Sequence, residues 1–378
     1  MKTILVGNGY NIELGGSKYL NKSIINRAIS NIRQKDYSEK LFNNKISNEE
    51  LASLLPGLLG QLNLILNDDV TYEKLKDEES VKLITLLKER YGSIELDTDS
   101  IGIEDFFVLL KLMHSLYNDD EKMVRNTNHG MCWILFDAIY NEGKIQEIYN
   151  GITPHYLEFL KNKFSEYDDI YTVNYDNTVE KTSGKDVKYL HGSFDELLDQ
   201  YDPRTVIGFC NMEDKIENPV NEKNKHIYSN ALMGFSGIYK EHIINVMENG
   251  QEGVVRIIDQ YLKGSEVEKR IIENLYDNAE SEEEKLAHQM INAIISNPEL
   301  YMKRYPMKEF KAIQGELEII GLSPFNDEHI WKNILENDRI THIVYYYHSE
   351  DSKEIMQKMY CDSRIEYIRD KEFWNDNT

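Results

Sequence analysis

Cysteine is scarce in this chain of 378 residues: Cys132, Cys210 and Cys361 stand far apart, with no Cys-x-x-Cys pair. That spacing excludes a disulfide framework and a four-cysteine zinc module, and it fits a reducing, cytoplasmic setting. Basic clusters are lacking as well. With 43 Lys and Arg against 66 Asp and Glu the formal net charge is −23. A nucleic-acid or anionic-membrane surface needs a basic stripe, so neither partner is expected. An anionic ligand would have to be met by local backbone donors, because the overall field repels it. Long hydrophobic runs are absent too. The first, Ile4-Leu5-Val6, stops at a glycine, far short of a signal-peptide core or a membrane span.

What is present is ordinary for a globular protein, with 41% apolar and 29% charged residues. Strand-like runs fall at Thr3 to Val6, Asp169 to Val173, Val187 to Leu190, Thr205 to Phe209, Leu317 to Ile320, Ile340 to Tyr347 and Ile365 to Ile368. Between them lie two regions of helical periodicity. In the first, Leu51, Leu54, Leu55, Leu58, Leu59, Leu62 and Ile65 recur at three- and four-residue steps, as do Phe106, Leu109, Leu110 and Met113. Packing between helices accounts for both stripes, and Trp133 and Phe136 read as core residues. The second region includes Ile243, Ile244, Val246 and Met247 and an acidic stretch, Glu280 to Glu284. The expectation is an α/β fold: one mostly parallel sheet domain from residues 1–16, 166–212 and 315–378, with helical insertions at 17–165 and 213–314.

Three motifs sit at strand ends, the edge where open α/β sheets bind ligands. Gly7-Asn8-Gly9-Tyr10-Asn11 follows the first strand and lets backbone approach an anion closely, half of a dinucleotide fingerprint. A tight connection is the plain alternative. Thr172-Val173-Asn174-Tyr175-Asp176 ends the second run, and His191-Gly192-Ser193 ends the third. Breaking a glycosidic bond to ribose builds positive charge at C1′ and needs a nucleophile on the opposite face. An Asn can hold that water or a ribose hydroxyl, an Asp can balance charge or bind an amide leaving group, and a His can take a proton. Nicotinamide on ribose is already cationic and leaves without a strong acid, so Asn174, Asp176 and His191 suit NAD better than an ordinary sugar. The alternative is that Asn-Tyr-Asp caps a helix starting near Asn177.

With Gly321-Leu322-Ser323 added, these motifs stand in the order seen in sirtuin-like NAD-consuming domains. The chain resembles the bacterial anti-phage branch that shades into the AbiH abortive-infection proteins, with Glu180 at the acidic position after the second motif. The resemblance covers the scattered strands, about a third of the chain. It implies a Rossmann-like fold and hydrolysis of NAD, the substrate, to nicotinamide and ADP-ribose as a defence toxin. On that resemblance Asn174 positions water or ribose, His191 is the base and Asp176 contacts the nicotinamide end. Gly7, Asn8, Gly9, Tyr10, Asn11, Thr172, Tyr175, Gly192, Ser193, Gly321 and Ser323 line the cofactor. A toxin of this kind must be held silent, so control by a homo-oligomer, an HerA-type ATPase or a phage protein is expected. Protein deacylation is not, since the four-cysteine module is missing and Val206 to Asn211 stands where the peptide-pairing strand would be. An alternative is a module that binds NAD or ADP-ribose without turnover. Gly234-Phe235-Ser236-Gly237-Ile238 lacks the last glycine of a nucleophile elbow. His329, His342 and His348 lack ligand spacing, so no metal is expected.

Overall fold

Lys2–Val6 forms β1, a β-branched run with apolar side chains on both faces, which is the pattern of a central parallel strand. The other strands are β2 (Asp169–Thr172), β3 (Lys188–Tyr189), β4 (Gly315–Ile320), β5 (Ile340–Tyr347) and β6 (Ile365–Arg369). The computed structural model describes residues 1–42, 44–67, 72–92, 101–119, 121–196, 225–232, 240–241, 244–245, 260–261, 263–277, 305–325 and 327–375. The expected strand Thr205 to Phe209, the run Val206 to Asn211, the turn Gly234 to Ile238, the acidic stretch Glu280 to Glu284, and Ile243, Val246, Met247 and Cys210 lie outside these residues.

The sheet runs β3-β2-β1-β4-β5-β6, and every pairing in it is parallel. This is the doubly wound, Rossmann-like order. Thr3 pairs with Asp169 on one side and Leu317 on the other, so β1 is the strand at which the order reverses. Side chains alternate across it. Ile4 and Val6 join Tyr10, Phe164, Tyr167, Ile170, Val179, Ile320 and Phe373 in a small core on one face. Leu5, Tyr171, Leu317 and Ile319 face the other way, into a large core.

That large core passes without a break from the sheet into the helices of residues 17–165. The helix Asn48–Leu66 opens with a capping box at Ser47 and buries Leu51, Leu55, Leu58, Leu62 and Ile65. Asp105–Tyr117 buries Phe106, Leu109 and Leu110, and Phe136 is buried in Glu121–Tyr140. All belong to one cluster with the sheet residues. The first insertion is therefore packed onto the sheet rather than tethered to it. Among the described residues no helix is long and apolar enough to cross a membrane.

Candidate functional site

The loops after β1 and β4 meet at the carboxyl edge. Gly7 N donates to Ile320 O (2.9 Å), Gly9 N to Gly321 O (2.8 Å) and Tyr10 N to Gly7 O (3.1 Å). Three amides of the glycine turn are thus spent inside the protein. A Cβ on Gly7 would lie 2.5 Å from Gly321 O, and one on Gly9 would lie 2.6 Å from Gly321 Cα. Close approach of two backbones requires glycine at both positions, the tight connection that was the plain alternative to an anion site. Tyr10, expected at the cofactor, instead lies fully buried in the small core, edge-on to Phe164 and bonded through its hydroxyl to Thr182 (2.7 Å).

Beside β1, Thr172 staples two strands. Its hydroxyl donates to Val6 O (2.9 Å) and accepts from Asn174 N (3.0 Å), while Asn174 Nδ2 donates to Gly7 O (3.2 Å). Asp176 accepts from Asn11 Nδ2 (2.5 Å) and from the N–H of Thr178 (3.0 Å), the first residue of the helix Thr178–Ser183. Burial raises the Asp176 pKa, and those hydrogen bonds oppose the rise. Asn11 and Thr172 therefore stand behind the site wall as supports. Gly192 and Ser193 do likewise: Gly192 has φ +81° with a Cβ position 2.2 Å from Asn230 O, and Ser193 N donates to Asn230 Oδ1 (2.7 Å).

In front of them lies a cleft of about 720 Å³, within the usual range for small-molecule sites. Asn8, Gly9, Asn174, Tyr175, Asp176, His191, Gly321 and Ser323 all line it. So do four groups the sequence did not single out for the site: Glu104, Lys240, Asp327 and His348. At the deep end a buried polar cluster surrounds His191. Lys240 Nζ pairs with Glu104, donates to Tyr175 Oη (3.1 Å) and reaches His191 Nδ1 (3.5 Å), and Tyr175 Oη donates to Glu104 Oε1 (3.1 Å). Asp327 Oδ1 lies 4.0 Å from His191 Nδ1. His191 Nε2 meets His329 Nε2 at 2.9 Å.

The tautomers follow. An ammonium only donates, so His191 Nδ1 accepts from Lys240 and the neutral ring carries its proton on Nε2, donating to His329 Nε2. His329 then carries its proton on Nδ1, which is buried and has no hydrogen-bond partner among the described residues. Burial, with Lys240 and His329 adding to it, lowers the His191 pKa well below the usual value. Burial and the neighbouring Lys240 and Lys311 lower His329 to about 3. Burial lifts Asp327 to about 7 against the pull of Lys240. The cluster thus holds neutral imidazoles beside a carboxyl that titrates near neutrality, a combination suited to moving protons.

What fixes Asp327 and His329 is the helix Glu328–Leu335. Trp331 stacks on Tyr360 (5.1 Å), meets Tyr345 edge-on (5.6 Å) and donates from Nε1 to Ser323 O (3.1 Å). Arg90 of the helical insertion, fully buried, bridges Asp105 and Glu328. The separation of His329 from His191 in the sequence concealed their contact. One signal was readable: Asp327-Glu328-His329 follows the strand ending at Gly321-Leu322-Ser323 and opens a helix. Glu104 and Lys240 carry no such local mark. No family model, no curated protein and no solved structure matches this chain.

Proposed function

We propose that the cleft hydrolyses the N-glycosidic bond of NAD to nicotinamide and ADP-ribose. The observation that carries this reading is the convergence of Asn174, His191 and Asp327 on one cleft at the strand-order reversal, where open α/β sheets bind nucleotides. Nicotinamide leaves with the electron pair of the C1′–N bond and becomes neutral, while positive charge grows on C1′ and the ring oxygen. Asn174, held to Gly7 O, positions the attacking water or a ribose hydroxyl. The water's proton passes to the Asp327 carboxylate beside His191, and its oxygen bonds C1′. Ile103, Ile139, Ile145 and Val173 make the neighbouring wall apolar, which strengthens the electrostatic interactions inside. Asp176 orders the loop that carries Asn174. The resemblance to anti-phage domains adds the proposal of a defence toxin restrained by oligomerisation or by a partner protein.

The test is chromatography of nicotinamide, ADP-ribose and cyclic ADP-ribose after incubation with NAD, alone and with candidate activators. Release of nicotinamide that falls at least about 100-fold in His191→Gln and Asn174→Ala is expected. NAD left intact under every condition would overturn the reading, and tight binding of intact NAD would favour a sensing module instead.

A further inference from the structure

We propose that His191, Asp327 and His329 form a site for one divalent transition-metal ion of the zinc class, open to the cleft. Each offers one ligand atom, and the three atoms lie within 4.8 Å of one another. Zinc bound tetrahedrally at about 2.0–2.1 Å spreads its ligand atoms to about 3.4 Å. The two Nε2 atoms, now 2.9 Å apart, need part by only about half an ångström. Two imidazoles with one carboxylate match zinc or cobalt better than magnesium or calcium, which take oxygen ligands.

Two independent observations support the site. First, two buried imidazoles meet head to head through Nε2, so that only one of the two facing nitrogens can carry a proton. An ion takes both Nε2 lone pairs and displaces the proton between them. Second, the charges around the site do not balance. With Asp327 ionised as a ligand, Lys240 and Arg90 face Glu104, Asp105, Glu328 and Asp327, two cations against four carboxylates beside two neutral imidazoles. One divalent ion makes that set neutral.

The ion-binding claim stands by itself; its consequence rests on the NAD reading. Lone pairs that bind a metal cannot accept a proton, so a filled site silences the Asp327 carboxylate. Zinc then acts as a lock on nicotinamide release.

The experiment titrates zinc, and cobalt as a spectroscopic probe, into chelator-stripped full-length protein by calorimetry and visible absorption, with NAD turnover followed in parallel. One ion per chain, a tetrahedral cobalt spectrum, affinity at least about tenfold weaker in both Asp327→Asn and His329→Gln, and turnover that falls as zinc fills the site and returns with chelator are expected. Asp327→Asn is nearly isosteric and keeps the test valid if His329→Gln fails to fold. Failure to bind one ion per chain, or binding unchanged in the variants, overturns the site. Turnover untouched by a filled site overturns the lock. Metal-free protein that cleaves NAD but binds no zinc sinks this inference while sparing the hydrolase; zinc bound as expected with NAD never cleaved does the reverse.

Discussion

Replacing Gly321 by alanine tests whether the glycines at the sheet edge exist to let two backbones meet. Gly321 has φ +70°, and a Cβ there would stand 2.6 Å from Tyr10 N, 2.9 Å from Gly9 Cα and 3.0 Å from Gly7 O. All three are backbone atoms with no rotamer to yield. Left-handed backbone costs an alanine about 1–2 kcal/mol, and overpacking adds about 1–3 kcal/mol. Gly184 is the control. It caps the helix Thr178–Ser183 at φ +64°, and its added Cβ would meet nothing closer than the mobile end of Lys161 at 3.6 Å. Gly184→Ala therefore pays the backbone strain alone. Urea unfolding should separate the two variants by about 1–3 kcal/mol, a midpoint difference of a few tenths of a molar up to about 1 M at a slope near 3 kcal/mol/M. Equal midpoints would refute the packing argument and return these glycines to a role in ligand access.

Lys240→Met leaves Glu104 buried without its cation and is expected to cost about 3–5 kcal/mol. Adding Glu104→Leu should recover part of that loss, whereas strictly additive effects in the double-mutant cycle would show no coupling. Thr172→Val removes the hydroxyl shared by Val6 O and Asn174 N, and chemical denaturation should register a loss of about 1 kcal/mol. Because Asn174 loses its backbone anchor, nicotinamide release should fall with it; unchanged release would detach Thr172 from the site. His226, stacked on Tyr140 and bonded to Asp137, has its pKa lowered by burial against the pull of Asp137. Its folded pKa lies below the unfolded value of about 6.5, so this contribution is present in full above that pH and is lost as pH falls toward the folded value. Urea midpoints measured from pH 7 to 5 should decline, and His226→Gln should make the decline shallower; an unchanged slope would exclude His226.

The sheet was legible because parallel strands buried on both faces are short apolar runs, and six of the seven expected runs are the six strands among the described residues, with ends shifted by at most two residues. The stripe from Leu51 to Ile65 was legible for the same reason, since burial on one helix face imposes its period on the sequence. At the site, Asn174 and His191 could be located because they end strands. Tyr10 could not be placed by motif alone: the chain turns into a helix at Gly9, and the ring is carried over the small core. Glu104 and Lys240 were hidden for a different reason. Their meaning lies in pairings between distant segments, and a buried ion pair leaves no periodic trace in either partner.

The strand order also sets when the cleft comes into being. β1 leaves the ribosome before the other strands of the sheet, and both of its neighbours belong to later parts of the chain: β2 begins at Asp169 and β4 at Gly315. Pairings of such sequence separation are slow to close. During synthesis the nascent chain can complete the helices of residues 17–165 long before Asn8, His191 and Asp327 have a surface in common. The cleft is therefore incomplete in any nascent chain that has not yet reached Asp327. Joining residues 305–375 ahead of β1 by circular permutation would remove that delay, and it would make the switch-point strands neighbours from the start of synthesis.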